Sequence, residues 1–135
     1  MYQNIAIIED DATLRRIIAR NLRARGHLVR EIATGAEAVS VLERERPDLI
    51  LLDINLPDLS GWEVLRELQT RGISVNTVVM SAVEASPSRL GEFRPLAYLR
   101  KPFALKALLR LAHSELNASR LENVDKHEPV AERAS

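Results

Sequence analysis

Residues 48–61 read Asp-Leu-Ile-Leu-Leu-Asp-Ile-Asn-Leu-Pro-Asp-Leu-Ser-Gly, and this stretch decides how the rest of the chain folds. Asp48 to Asp53 sets consecutive aliphatic side chains between two acids. A run that short and that apolar is the pattern of a buried strand. Pro57, Ser60 and Gly61 then mark a loop. A helix is expected from Trp62 to about Thr70, burying Leu65 and Leu68, with Gly72 ending it.

Working outward, the same alternation repeats. Asn4 to Ile8 is a second short apolar run. Leu14, Ile17, Ile18 and Leu22 follow at helical spacing with arginines on the other face, and Gly26 closes that helix. His27 to Ile32 reads as a weaker strand. Ala36 to Arg46 reads as a helix with Ala38, Val39 and Leu42 as its stripe, stopped by Pro47. Val75 to Met80 and Leu96 to Leu99 are the last two strands. Ala104 to about Asn117 is the last helix. Strand and helix alternate about five times with short connections, which predicts a parallel sheet with helices on both faces, an open α/β sandwich. Residues 120–135 are polar and aperiodic, and are expected to form a disordered tail behind a domain of residues 1–119.

Composition narrows the function. A chain of 135 residues with 46% hydrophobic content fits one domain with a proper core. No apolar run approaches the roughly 18–20 residues of a membrane span, and acids near the amino terminus argue against a secretory leader. The chain has no cysteine, which excludes disulfides and thiolate zinc and agrees with a cytoplasmic location. Nineteen basic residues balance nineteen acidic ones, so direct nucleic-acid binding is not expected. All the basic residues but Lys101, Lys106 and Lys126 are arginine, so a lysine at a strand exit stands out.

The chemistry lies at one edge of the expected sheet. Glu9 and Asp10 leave the first strand, Asp53 ends the third, Ser81 follows the fourth and Lys101 follows the fifth. In a parallel sheet these exits share the carboxyl edge, where open α/β sheets bind ligands. Crowded carboxylates repel unless a hard cation joins them. Magnesium needs only one or two carboxylates besides water, so Asp10 and Asp53 are the direct candidates, with the Asn55 backbone carbonyl two residues on. Glu9 is expected to act through water or by holding Asp10. A carboxylate beside a metal and a lysine can attack phosphorus and form an aspartyl phosphate.

Four motifs in this order carry a resemblance: Ile8-Glu9-Asp10-Asp11, Leu51 to Gly61 around Asp53, Met80-Ser81-Ala82 and Lys101-Pro102-Phe103. Over about residues 3–118 the chain resembles the receiver domain of response regulators, the phosphoacceptors of two-component histidine–aspartate phosphorelays. The resemblance implies a flavodoxin-like, doubly wound, five-stranded α/β/α sandwich. It implies that Asp53 takes a phosphoryl group from a histidine kinase or phosphotransfer protein in a magnesium-dependent step, with Asp10 and Glu9 on the metal side. Ser81 would be the switch hydroxyl, Lys101 the phosphate partner and Tyr98 the aromatic that turns with Ser81. Pro102 would follow a cis bond. Such a domain catalyses only its own phosphorylation and dephosphorylation and signals through a protein target or a homodimer.

One segment departs from that family. Ser86 can cap a fourth helix with Pro87 at its first position, but Gly91 and Pro95 leave it about two turns. The usual output face is therefore expected to be altered. Alternatives are a phosphate-independent receiver acting as a binding module, or a receiver fragment cut from a longer regulator. A phosphatase would need a second Asp two residues after Asp53, where Asn55 stands. Asp11 is read as a helix cap and Asp58 as a turn residue. Trp62 is read as packing, and the first-helix arginines as a solvated face or a docking surface.

Overall fold

The computed structural model describes residues 3–110, 112 and 113. Its elements run β1 (Asn4–Ile8), α1 (Ala12–Ala24), β2 (Leu28–Ile32), α2 (Gly35–Arg44), β3 (Leu49–Asp53), α3 (Gly61–Thr70), β4 (Thr77–Ser81), α4 (Pro87–Phe93) and β5 (Ala97–Arg100). A last helix, α5, is described at residues 105–110 and 112–113. The expected continuation of that helix to Asn117 and the polar tail at 120–135 lie outside the described residues.

All four strand pairings are parallel, in the order β2-β1-β3-β4-β5. The chain therefore reverses its winding between β1 and β3, and that switch point opens a crevice at the carboxyl ends of both strands. Alternate residues feed two cores. Ile5, Ile7, Leu49, Leu51, Val78, Met80 and Leu99 meet Ile18 and Leu22 of α1 and Leu108 and Leu109 of α5. Ala6, Ile8, Ile50, Leu52 and Val79 meet Leu42 of α2 and Val64, Leu65 and Leu68 of α3. Every residue of β3 is buried, as a central strand covered on both faces requires.

Several boundaries differ from the sequence reading. α2 stops at Arg44, because Pro47 pushes the residue before it out of helical geometry and the chain turns extended at Glu45. β4 starts two residues later and ends one residue later than its apolar pattern implied, so Ser81 is its last residue and pairs with Arg100 in register. Ile17 is not core. It is 41% exposed, on the shoulder of α1, whose buried face is Ile18, Ala19 and Leu22. Asp11 caps α1 as expected, accepting from Thr13 and Leu14 N–H, and Gly26 follows that helix at φ 92°.

The fourth helix is as short as Gly91 and Pro95 implied. Ser86 Oγ accepts from Arg89 N–H, Pro87 opens the helix, and no residue of α4 is buried. What holds it is an aromatic stack. Phe93 lies on Trp62 of α3 with ring centroids 5.6 Å apart, flanked by Arg66 over Phe93 and Arg89 over Trp62. The Arg66–Glu92 ion pair at 2.9 Å closes the same contact.

α4 ends on Arg94 in the left-handed region at φ 47°. A side chain there costs roughly 1–2 kcal/mol that glycine would not. Arg94→Gly is therefore expected to raise the urea midpoint, and Arg94→Val to lower it, in equilibrium unfolding.

Candidate functional site

The strand exits converge as their positions in the sheet require. Glu9 follows β1, whose pairing with β3 matches Ile8 to Leu52 and so brings the two exits side by side. Lys101 follows β5, and its N–H donates to the Ser81 carbonyl at 2.7 Å. From there its Nζ reaches across the carboxyl edge to Glu9 Oε1 at 2.8 Å and Asp53 Oδ2 at 3.2 Å. The Lys101–Pro102 bond is cis.

Each carboxylate is held separately. The second oxygen of Asp53, Oδ1, accepts from Asn55 N–H at 3.0 Å, and Ile54 N–H donates to the Met80 carbonyl at 3.0 Å. The second oxygen of Glu9, Oε2, accepts from Asp11 N–H at 3.1 Å. Glu9 and Asp53 are 1% and 2% exposed, whereas Asp10 faces solvent. Glu9, Asp10 and Asp53 each offer an oxygen, all within 4.8 Å of one another. At that separation two unit charges repel by roughly 3 kcal/mol for an effective dielectric of about 20. Lys101 carries one positive charge against three acids, so the cluster is short of cation. A set made only of hard oxygen donors, open to solvent on the Asp10 side, fits magnesium and excludes soft metals.

The charges feel this crowding. Burial pushes the Glu9 carboxyl up to about 7, against the opposing pull of the Lys101 hydrogen bond, and the Asp53 charge adds to the rise. Burial likewise disfavours the charged form of Lys101, but the Glu9 hydrogen bond and the Asp53 charge outweigh it and hold the ammonium above its ordinary value.

Ser81 and Tyr98 also meet, through a third residue. Ser81 is buried, and its Oγ accepts from Val83 N–H at 3.2 Å. The half-buried Tyr98 hydroxyl donates to the Val83 carbonyl. Val83, two residues beyond β4, thus ties the hydroxyl at the site to the aromatic on β5. Val83 carried no signal in the sequence.

Two further residues shape the site unannounced. Arg15 belongs to the first-helix arginines expected on a solvated face or docking surface, but its side chain is only 14% exposed. It donates to the Glu9 carbonyl at 2.8 Å and pairs with Glu31 at 3.3 Å, fixing the β1 exit from α1. Gly61 lies so close to the acceptor strand that a Cβ would stand 2.8 Å from both the Asp53 carbonyl oxygen and Ile54 Cα. Its N–H donates to the Ile54 carbonyl at 2.8 Å. No periodicity marks such a contact.

A doubly wound parallel sheet with three acids, a lysine and a hydroxyl at its carboxyl edge defines the class: an open α/β domain with a polar site at its strand exits. A family model described as response regulator receiver domain matches residues 5–113, and the chain belongs to that family. It is 32% identical over 133 residues to response regulator MprA of Mycobacterium ulcerans (strain Agy99), an alignment covering 97% of this chain and 57% of that protein. It is 36% identical over 107 residues to response regulator MprA of Mycobacterium leprae (strain TN), covering 78% of this chain and 47% of that one. The chain thus spans about half the length of the curated relatives it matches. Among solved structures it resembles a CheY-like receiver domain protein from Methanospirillum hungatei JF-1. The TM-score is 0.79 at 26% identity, over 91% of this chain and all of that one.

The raised Glu9 value gives a signed expectation for the metal-free protein. Between pH 4.5 and about 7 the folded state holds a proton that the unfolded state has released. The Glu9 contribution to stability is therefore full below pH 4.5 and is lost as pH rises through about 7. Glu9→Gln should gain stability relative to wild type progressively across that window, measured by urea unfolding at each pH without divalent cations.

Proposed function

We propose that Asp53 is the phosphoacceptor of this receiver domain, taking its phosphoryl group from a phosphohistidine of a kinase or phosphotransfer protein. The observation that carries this reading is the Lys101 ammonium bridging Glu9 and Asp53 at the mouth of the acidic cluster. An Asp53 carboxylate oxygen attacks phosphorus while the bond from phosphorus to the donor imidazole nitrogen breaks, and that nitrogen is left to take a proton. The step needs little beyond positioning and charge neutralisation. Lys101 supplies a cation that can pair with the phosphoryl oxygens, and Asn55 N–H already orients the acceptor.

Magnesium, held by Asp10, Asp53 and the Asn55 carbonyl with Glu9 alongside, would neutralise charge on the transferring group. Ser81 Oγ accepts from Val83 and keeps its O–H to donate to a phosphoryl oxygen. Movement of Ser81 toward phosphate would pull on Val83, whose carbonyl is held by Tyr98, so the aromatic on β5 reads the state of the site. The signal then leaves through protein contacts. None of the helices among the described residues is long and apolar enough to cross a membrane.

Incubation with acetyl phosphate and magnesium should add the mass of one phosphoryl group at Asp53, and Asp53→Ala should abolish it with the fold intact. No gain in the wild type would overturn the reading in favour of a phosphate-independent module. The phosphodonor is expected to approach over α1, where Arg16 and Arg20 are exposed around Ile17. Reversing both charges with Arg16→Glu and Arg20→Glu should slow transfer from a histidine kinase about tenfold at low salt while leaving the acetyl phosphate rate unchanged.

A further inference from the structure

The loop between β3 and α3 is anchored to a helix that contributes no side chain to the acidic site. Asp58 lies on that loop, and each of its carboxylate oxygens accepts a backbone N–H from the start of α2. Oδ1 accepts from Gly35 at 2.8 Å and Oδ2 from Ala36 at 2.8 Å. The helix already has a cap of its own, since Thr34 Oγ1 accepts from Glu37 N–H at 3.2 Å. Thr34 leaves the Gly35 and Ala36 amides without an intrahelical partner, and Asp58 takes both from across the gap between the two segments.

The contact is close as well as bonded. A Cβ built on Gly35 would stand 2.9 Å from Leu59 Cβ and 3.0 Å from Val64 Cγ2. Any side chain at 35 would push the loop and α3 away from α2. The Ala36 and Gly35 amides also hold the Asp58 carboxyl below its ordinary range, so the grip is that of an ionised acid on the positive end of a helix. At the site end of the same loop, Asn55 N–H is fixed on Asp53 and Gly61 N–H on the Ile54 carbonyl.

We propose that Asp58 is a positioning residue, which by gripping the first two amides of α2 sets the place of the β3–α3 loop and of the Asn55 carbonyl beside Asp53. A turn residue would need only to permit the bend; this one ties the bend to a neighbouring helix. Its consequence for cation binding rests on the assignment of the Asn55 carbonyl to the metal side of the site, whereas its consequence for the loop does not.

The experiment uses the full chain and two readouts, with Asp58→Ala, Asp58→Asn and Thr34→Ala compared to wild type. The first readout is amide hydrogen exchange in residues 54–60 of the metal-free protein. Asp58→Ala should raise it about tenfold or more, since the segment loses its outer anchor. The second is magnesium affinity, which Asp58→Ala should weaken about tenfold, as loss of a ligand's support does. Asp58→Asn keeps one acceptor oxygen and should fall between. Thr34→Ala removes the other cap of α2 without touching the loop, and should leave both readouts at wild-type values.

Equal changes for Asp58→Ala and Thr34→Ala would reduce Asp58 to a helix cap and overturn the proposal. Unchanged exchange in Asp58→Ala would overturn it too. Absence of magnesium binding in the wild type would instead defeat the phosphoacceptor reading, and the exchange comparison would still decide the role of Asp58.

Discussion

The structure depends on a repulsion that the fold imposes and only partly relieves. Glu9, Asp10 and Asp53 come from the ends of two adjacent parallel strands and place their oxygens within 4.8 Å of one another. Two of the three are almost wholly buried, where a charge is costly unless paired. Lys101, delivered from the far strand of the sheet, pairs with both buried acids. That leaves an excess of negative charge on the solvent side, at Asp10. Such a site is poised for a small divalent cation, which would complete its charge balance.

Keeping carboxylates this close requires rigid supports, and they are built from ordinary secondary-structure physics. The two apolar cores fix the sheet register, so the exits of β1, β3 and β5 stay level. Arg15 of α1 holds the β1 exit through the Glu9 carbonyl. The loop after β3 is closed from behind by Gly61, which allows α3 to start against the backbone of Asp53 and Ile54. The Ser60–Glu63 capping box then satisfies the Ser60 and Glu63 amides at the start of α3. On the α4 side the support is thinner: that helix buries no residue and rests on the Phe93–Trp62 stack.

Much of this was legible in the sequence, for reasons that can be named. The central strand could be read from Leu49 to Leu52 because burial on both faces leaves no polar residue in it. The convergence of Glu9, Asp53, Ser81 and Lys101 followed from their places at strand ends, once the strands were taken as parallel. The short α4 followed from Ser86-Pro87 and from Gly91 and Pro95. Long-range contacts were not legible. Ile17 has the spacing of a core residue, yet α1 turns it outward. Arg15 has the look of a surface arginine, and the Glu9 carbonyl and Glu31 on β2 draw it inward. Asp58 acts through backbone amides of α2, and Val83 through its own backbone on the side chains of Ser81 and Tyr98; such partners leave no trace in local pattern.

The central claim is that Asp53 is held in a cluster short of positive charge. Thermal midpoints of the wild type and Asp53→Asn, each with and without magnesium, test it most directly. The account predicts that the variant melts higher than the wild type without metal and that magnesium raises only the wild type appreciably. A variant that melts lower than the wild type without metal, with neither protein responding to magnesium, would contradict it.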